Sequence, residues 1–441
     1  MSIVRNNICT TRYLQNGNIL IVNYDNSKIY EINDVALFIW EQIEHPSDLC
    51  DIATALSEAY AINYDIAFSD VKTFVDYLTD LGLILNHSND GVRRRVISKE
   101  LRSALKKFGM DNLVPIRAIL ELTDKCNLKC VHCYRVANSE KILSLSEIKT
   151  IINDLCELGC IELTFTGGEL FTRSDIFDII DYADQRNFSI NILTNGTLID
   201  QICIDKLARY SSIGCVQISL YSGFMEIHDQ ITQYNGAFSA SYQAAIGLLK
   251  KGIRVKFACP VMSLNFTSYS GVKKLANDIG CEVEFNYPIT AKEDGDKQPL
   301  KYRLSDRELL HLFRECKEFF CGEYTHNTDN PPCCAGRSLI YISDTGNLYP
   351  CLMYPNPFGN IRLGNLKKMW YDSSELKKYR GLIVNDFIRC NKCNNKKWCP
   401  ICPGLNLLEN ENEVDPAQIT CKMAWANRII TTEGGVESGR V

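Results

Sequence analysis

The sequence predicts an α/β fold: a parallel sheet curled into a partial (βα)6 barrel, with a small unit before it and a cysteine-rich unit after it. Three observations predict this. Between residues 115 and 290, six apolar strand-like segments alternate with helical ones, the pattern of successive βα units. Residues 1–90 read as a hairpin followed by three helices. Beyond residue 330 the periodicity fades while eight cysteines gather between Cys333 and Cys421. A unit with so little apolar core can be held by metal instead. The length, 441 residues, suits two or three domains.

In the first unit, "NILIVNY" and "KIYEI" are short apolar strands joined by the turn "DNS". "DVALFIWEQIEH" places Val35, Phe38, Ile39 and Ile43 on one helical face. Pro46-Ser47 opens a second helix, "SDLCDIATALSEAY". Ser69 is placed to cap a third, "DVKTFVDYLTDL", which ends at Gly82. A strand edge beside a helical groove is what holds an extended peptide. In its order of strand pair, "ALFIW" helix, two helices and "LGLI", residues 1–90 resemble PqqD-like domains, the winged-helix-like leader-recognition elements of peptide-modifying systems. Residues 91–114 read as a linking helix. Its basic run "VRRRVISKELRSALKK" is expected to be a solvated face or linker rather than a partner patch.

The six strands of residues 115–290 are "IRAILELT", "IELTFTGGE", "FSINILTNG", "CVQISLYS", "IRVKFACPV" and "VEFNYPI". Functional groups of parallel sheets sit at the strands' C-terminal ends. Directly after the first strand stands "CNLKCVHCY", with Cys126, Cys130 and Cys133. Three thiolates from one loop can hold three irons of a [4Fe–4S] cube and leave the fourth open to a small molecule, as catalytic metal sites keep one position free. Structural or zinc-binding cysteines are the alternative. The loop resembles the C-x3-C-x2-C signature of the radical S-adenosylmethionine (SAM) superfamily, in which SAM occupies the open iron. His132 stands where that family commonly has an aromatic residue.

Other strand ends extend the resemblance. "FTGGE" carries Gly167, Gly168 and Glu169. Its two glycines permit close backbone approach to a ligand, and its carboxylate can pair with an ammonium. In the family this motif contacts the SAM amino group; a tight turn opening the next helix is the bland alternative. Asn195 in "LTNG" and Ser219 in "ISLYS" resemble the ribose- and methionine-contacting positions. No adenine-binding residue is legible in "KFACPVMSLN", where Cys259 reads as core. Residues 291–330 are a polar, turn-rich connector.

In residues 331–441, Cys334 is followed by Gly346 and Cys351, then by Cys390-x2-Cys393-x5-Cys399-x2-Cys402 and by Cys421. Two C-x2-C pairs alone suggest zinc, but five residues are few for the inner gap of a zinc ribbon. The order resembles the SPASM domain, which carries two auxiliary [4Fe–4S] clusters. The resemblance assigns Cys390, Cys393, Cys399 and Cys421 to one cluster, and Cys334, Cys351 and Cys402 to the other. The fourth ligand of the latter is Cys333, another cysteine, or a group at an open iron. The family spaces the last two cysteines of the run by three residues, where "CPIC" has two.

Net charge is −5, which gives no case for nucleic acid. The first residues lack the apolar core of a signal peptide, and no apolar run is long enough to span a membrane. The expected location is the cytoplasm, with the 21 cysteines reduced. Cys50, Cys156, Cys203 and Cys215 read as small core residues. Together the three resemblances imply a maturase of ribosomally made precursor peptides, with three [4Fe–4S] clusters, SAM and an external electron donor such as flavodoxin or ferredoxin. Thioether formation is the expected reaction. Carbon–carbon or carbon–oxygen cross-linking, protein maturation of the sulfatase-activating kind, and a non-catalytic electron-transfer or peptide-binding role are the alternatives.

Overall fold

A computed structural model of the chain describes residues 3–85, 93–136 and 141–437. The boundary expected near residue 90, and Val92 of the basic run, lie outside these residues. At the N-terminus, β1 (Val4–Arg5) pairs antiparallel with the distant β5 (Ile84–Leu85). Between them β2 (Cys9–Tyr13), β3 (Ile19–Asn23) and β4 (Lys28–Ile32) form an antiparallel sheet in that order. The expected hairpin is β3–β4. Strand β2, whose "CTTRY" carries little hydrophobic signal, was not expected.

Three helices follow, Asp34–Gln42, Leu49–Tyr60 and Tyr64–Asp80. Three local expectations are corrected. The third helix is capped by the Asn63 side chain, which accepts from the Asp65 amide, so Ser69 lies inside it. In the first helix Ile39 and Trp40 are buried while Val35 is exposed, because the buried stripe is rotated toward Trp40. Cys50 is exposed, at the first turn of the second helix. Gly82 does follow the third helix in the left-handed conformation, φ 67°.

The linking helix runs only from Lys99 to Asn112, with the Ser98 side chain accepting from the Leu101 amide. Lys99, Lys106 and Lys107 are exposed, as expected of a solvated face, whereas three arginines of the basic run grip the underside of the barrel. Arg94 donates to the Tyr210 carbonyl (2.8 Å), Arg95 to Asn187 Oδ1 (2.7 Å), and Arg102 meets Glu162 through two bonds (2.7 and 3.0 Å). From β2, Arg12 donates to the Cys160 carbonyl (2.6 Å) and Thr10 to the Asn187 carbonyl (2.7 Å). The N-terminal unit is thereby fixed beside the residues that enter the barrel strands.

The barrel strands are β6 (Arg117–Glu121), β7 (Glu162–Thr166), β8 (Ser189–Thr194), β9 (Ile213–Ser219), β10 (Val255–Pro260) and β11 (Glu282–Asn286). All five pairings among them are parallel and run in sequence order. The strands read as apolar runs because helices cover the sheet. The connector holds a helix, Asp306–Glu315, which packs on the C-terminal helix Gln418–Glu437.

The cysteine-rich unit does not stand apart. Its strand β12 (Leu339–Ile342) pairs parallel with β6, and β13 (Asn347–Tyr349) and β14 (Gly359–Asn360) follow antiparallel. One nine-stranded sheet results, in which β12 covers the β6 edge of the barrel. Among the described residues no helix is long and apolar enough to cross a membrane.

Candidate functional site

The cysteine loop leaves the C-terminal end of β6 and is held from two sides. The Thr123 carbonyl accepts from the Gly168 amide (2.8 Å) and the Lys125 carbonyl from the Glu169 amide (2.7 Å), so the "GGE" strand end lies directly on the loop. The amides of Lys129 and Val131 donate to the Thr232 and Ile231 carbonyls (3.2 and 3.0 Å). Both glycines are sterically required. A Cβ at Gly167 would overlap the Thr123 carbonyl, at φ 150°, and one at Gly168 would overlap that of Lys125. Gly168→Ala must push the strand end off the loop. It should lower stability by about 1–3 kcal/mol, read as a lower thermal midpoint. An unchanged midpoint would show that the two segments separate freely.

Cys126 and Cys133 are exposed and Cys130 is half-buried, so the three thiols line a bowl open on one side. Burial nevertheless raises all three thiols, Cys130 to about 12, and the neighbouring thiols add to the rise at Cys126 and Cys130. A bound cation reverses that tendency by deprotonating coordinating thiols. Amide donors already point at the sulfurs: Leu128 N–H at Cys126 Sγ (3.4 Å) and Arg135 N–H at Cys133. Among the described residues no three His, Cys, Asp or Glu side chains converge on a single ion. Ligands of a cube sit on separate irons around it, so this donor set fits a cluster.

The Glu169 carboxylate is buried at the end of β8, accepting from Thr194 Oγ1 (2.8 and 2.9 Å), the Asn195 amide (2.8 Å) and the Phe171 amide (3.1 Å). Burial raises its pKa, and these hydrogen bonds oppose the rise. Asn195 reaches the loop directly, with Nδ2 at 3.0 Å from Asn127 Oδ1 and 3.9 Å from Cys126 Sγ. Ser219 ends β9 and bonds the Tyr221 hydroxyl, which lies 3.9 Å from Cys130 Sγ. Cys259 is fully buried in the core, as expected.

Two residues of this wall, Tyr221 and His228, escaped the sequence reading. Tyr221 packs edge-on to His132 (ring centroids 4.8 Å) and stacks on His228 (5.2 Å). The signal was present for Tyr221, which follows Ser219 by two residues and so shares its side of the extended segment.

In the C-terminal unit, Cys390, Cys393, Cys399 and Cys421 line one cavity of about 190 Å³, and Cys402 reaches its edge. Arg389 and Lys396 also line it and supply positive charge. The Asn395 amide points at Cys393 Sγ (3.4 Å), and the Leu405 amide at Cys402 Sγ (3.5 Å). The donor set fits a four-thiolate cluster. Cys351 stands near Cys402 and also near Cys333. Cys334 is half-buried beside Cys333.

The chain matches three protein families in the order in which these sites occur: the coenzyme PQQ synthesis protein D family over residues 18–84, the radical SAM superfamily over 120–267, and an iron–sulfur cluster-binding domain, SPASM, over 333–403. It is 29% identical to the antilisterial bacteriocin subtilosin biosynthesis protein AlbA of Bacillus subtilis (strain 168), over 59% of this chain and 59% of that protein's length. It is 26% identical to an AdoMet-dependent heme synthase of Methanosarcina barkeri, over 64% of this chain and 89% of that one. A crystal structure of Streptococcus suis SuiB bound to precursor peptide SuiA shares the fold, with TM-score 0.65 and 16% identity, over 96% of this chain and 100% of SuiB. With its cysteine loop at the end of the first barrel strand, the chain carries a radical SAM domain, joined on the same sheet by a SPASM domain and flanked by a PqqD domain docked beneath.

Proposed function

We propose that this protein modifies a ribosomally made precursor peptide by radical SAM chemistry, most specifically by installing a cysteine thioether. The observation that carries the reading is the docking of a strand-presenting unit, residues 3–85, onto a barrel whose opposite end holds three clustered thiols. Two of the similar proteins bear on it, one named for bacteriocin biosynthesis and one crystallised with a precursor peptide.

Cys126, Cys130 and Cys133 would hold a [4Fe–4S] cluster. Gly167, Gly168 and Glu169, with Asn195 and Ser219, would hold SAM beside it. Cys390, Cys393, Cys399 and Cys421 would hold one auxiliary cluster, and Cys351 and Cys402 with the 333–334 segment another, three in all. When bound, the first cluster and SAM supply a 5′-deoxyadenosyl radical able to take hydrogen from an unactivated carbon. The chain's own part is placement: Glu169 fixes the β8 end, Asn195 fixes the loop, and the aromatic wall of Tyr221 excludes water from one side of the bowl. An external donor such as flavodoxin or ferredoxin would supply the electron that the first cluster spends on SAM, and the auxiliary clusters would take up the electron released when the new bond forms.

Strand β2 faces the barrel through Thr10 and Arg12, so β4 is the edge offered to a leader. That edge lies on the strand-entry side of the barrel, whereas the thiols lie at the strand exits. A core peptide must therefore pass a strand length of about 17–20 Å, which takes at least about six extended residues. Tethering then raises the local concentration of a weakly held core.

The test uses reconstituted protein, SAM, dithionite and the short peptide encoded beside the gene. 5′-Deoxyadenosine should form and should fall to background in Cys126→Ala. Thiol alkylation before and after reaction then separates the products. Loss of a free thiol supports the thioether, and an unchanged thiol count with two hydrogens lost supports carbon–carbon or carbon–oxygen cross-linking. Failure of the wild-type protein to cleave SAM rejects the enzymatic reading.

A further inference from the structure

We propose that Cys333, rather than Cys334, joins Cys351 and Cys402 as a ligand of an auxiliary cluster, with the Tyr379 hydroxyl set against its sulfur; this rests on the cluster reading above and specifies one ligand within it. The spacing pattern points to Cys334, and the packing points elsewhere. Three turns meet at the site. The Gly336 amide donates to the Pro350 carbonyl (3.0 Å), which sets the 333–336 turn against Cys351. Gly404 has no space for a side chain because the Met353 carbonyl lies against it, 2.7 Å from where a Cβ would stand, and this sets the Cys402 turn against the segment following Cys351. The helix Ser374–Arg380 covers them. Tyr379 on it is buried, its hydroxyl is 3.6 Å from Cys333 Sγ, and its ring meets Tyr354 edge-on at 4.7 Å. The Tyr354 amide in turn donates to the Cys351 carbonyl (3.2 Å).

Cys333 and Cys351 both pack against the barrel core. Cys402 packs with Met353, two residues past Cys351, so the three turns bring Cys333, Cys351 and Cys402 to one place. Cys333 also accepts the Ala335 amide, and Cys351 the Met353 amide. The same donor, two residues on, points at Cys126 and Cys393. Cys160 in the core has such a bond as well, so the turn alone does not mark a ligand. The turn together with convergent thiols does. Of the adjacent pair, Cys333 is the one whose sulfur the Tyr379 hydroxyl meets.

Iron content and Mössbauer spectra of the anaerobically reconstituted full-length protein test this. The wild type should hold about twelve irons, four for each of three cubes. A wild-type count of about four or eight overturns the three-cluster reading itself, before any variant is compared. Given about twelve, Cys333→Ala should fall to about eight while keeping the SAM-sensitive signal of the first cluster, and Cys334→Ala should keep about twelve. The isosteric Cys333→Ser is measured beside it, so that a folding defect of the alanine variant does not imitate ligand loss. Tyr379→Phe should keep all its iron and shift the reduction potential of one cluster only, because a hydrogen bond to one ligand sulfur is gone. Iron loss in Cys334→Ala, in both alanine variants, or in neither overturns the assignment.

Discussion

Replacing Arg135 with alanine should lower the stability of the protein by about 3–5 kcal/mol, because it strands buried carboxylates without their cation. Arg135 lies two residues past the last cysteine of the loop and is 8% exposed. It pairs with Glu121 at the end of β6, which is 1% exposed, and with Asp344 in the β12–β13 turn (2.9 Å), which is 4% exposed. Glu293 of the connector approaches at 3.7 Å, and its amide donates to the Tyr134 carbonyl (2.9 Å). One guanidinium thus ties the cysteine loop, the first barrel strand, the connector and the C-terminal unit together. The pH dependence identifies the cause. Burial already raises the Asp344 carboxyl, and Arg135 opposes that rise. Without the cation the folded-state value climbs further above the unfolded one. A carboxyl raised in the folded state destabilises progressively as pH rises through that interval, so the variant's deficit should be largest above neutrality and shrink in acid. Arg135→Lys should recover part of the loss, since it restores charge but not the planar fork that spans two carboxylates. Urea midpoints over a pH series measure both effects. A midpoint that matches the wild type at every pH would remove Arg135 from this role.

The six barrel strands were legible because each is a local apolar run, and the loop at Cys126 because a short spacing carries its meaning on one segment. The features that were missed depend on partners far away in sequence. Strand β2 is "CTTRY", and its alternation becomes visible only once β3 lies beside it. The pairing of β12 with β6 joins residues more than two hundred positions apart, which no local period encodes. Arg94, Arg95 and Arg102 read as a solvated face because their carbonyl and carboxylate partners belong to other elements. One miss was avoidable. Ser305 and Glu308 form a capping box that announces the helix Asp306–Glu315 inside the supposed connector. The choice between Cys333 and Cys334 has a different character, since spacing tolerates either and only the covering helix with Tyr379 distinguishes them.

The aromatic wall should set the acid limit of the fold. His228 is buried at 1% exposure between Tyr221 and Phe238, and its Nδ1 accepts the Tyr221 amide (3.1 Å). Desolvation lowers its pKa to about 4, with the neighbouring Asp229 only partly opposing the shift. A base lowered in the folded state leaves the unfolded chain holding more protons between the two values. Its contribution is therefore complete above the ordinary histidine value of about 6.5 and is lost as pH falls toward 4. At 1.36 kcal/mol per unit, about 2 kcal/mol should be gone by about pH 5 and about 3 kcal/mol by about pH 4. His228→Asn keeps an acceptor near the position of Nδ1 but cannot be protonated. It should be less stable than the wild type at pH 7, having lost two ring contacts, yet flatter on the acid side, so the two urea-midpoint curves converge as pH falls. Protonating His228 also removes the acceptor for the Tyr221 amide, and the Tyr221 hydroxyl stands 3.9 Å from Cys130 Sγ. Acid should therefore weaken the cysteine loop before the barrel as a whole unfolds. Hydrogen exchange at residues 126–133 should rise at a higher pH than exchange in β8, and equal onset in the two segments would break the link between this histidine and the loop.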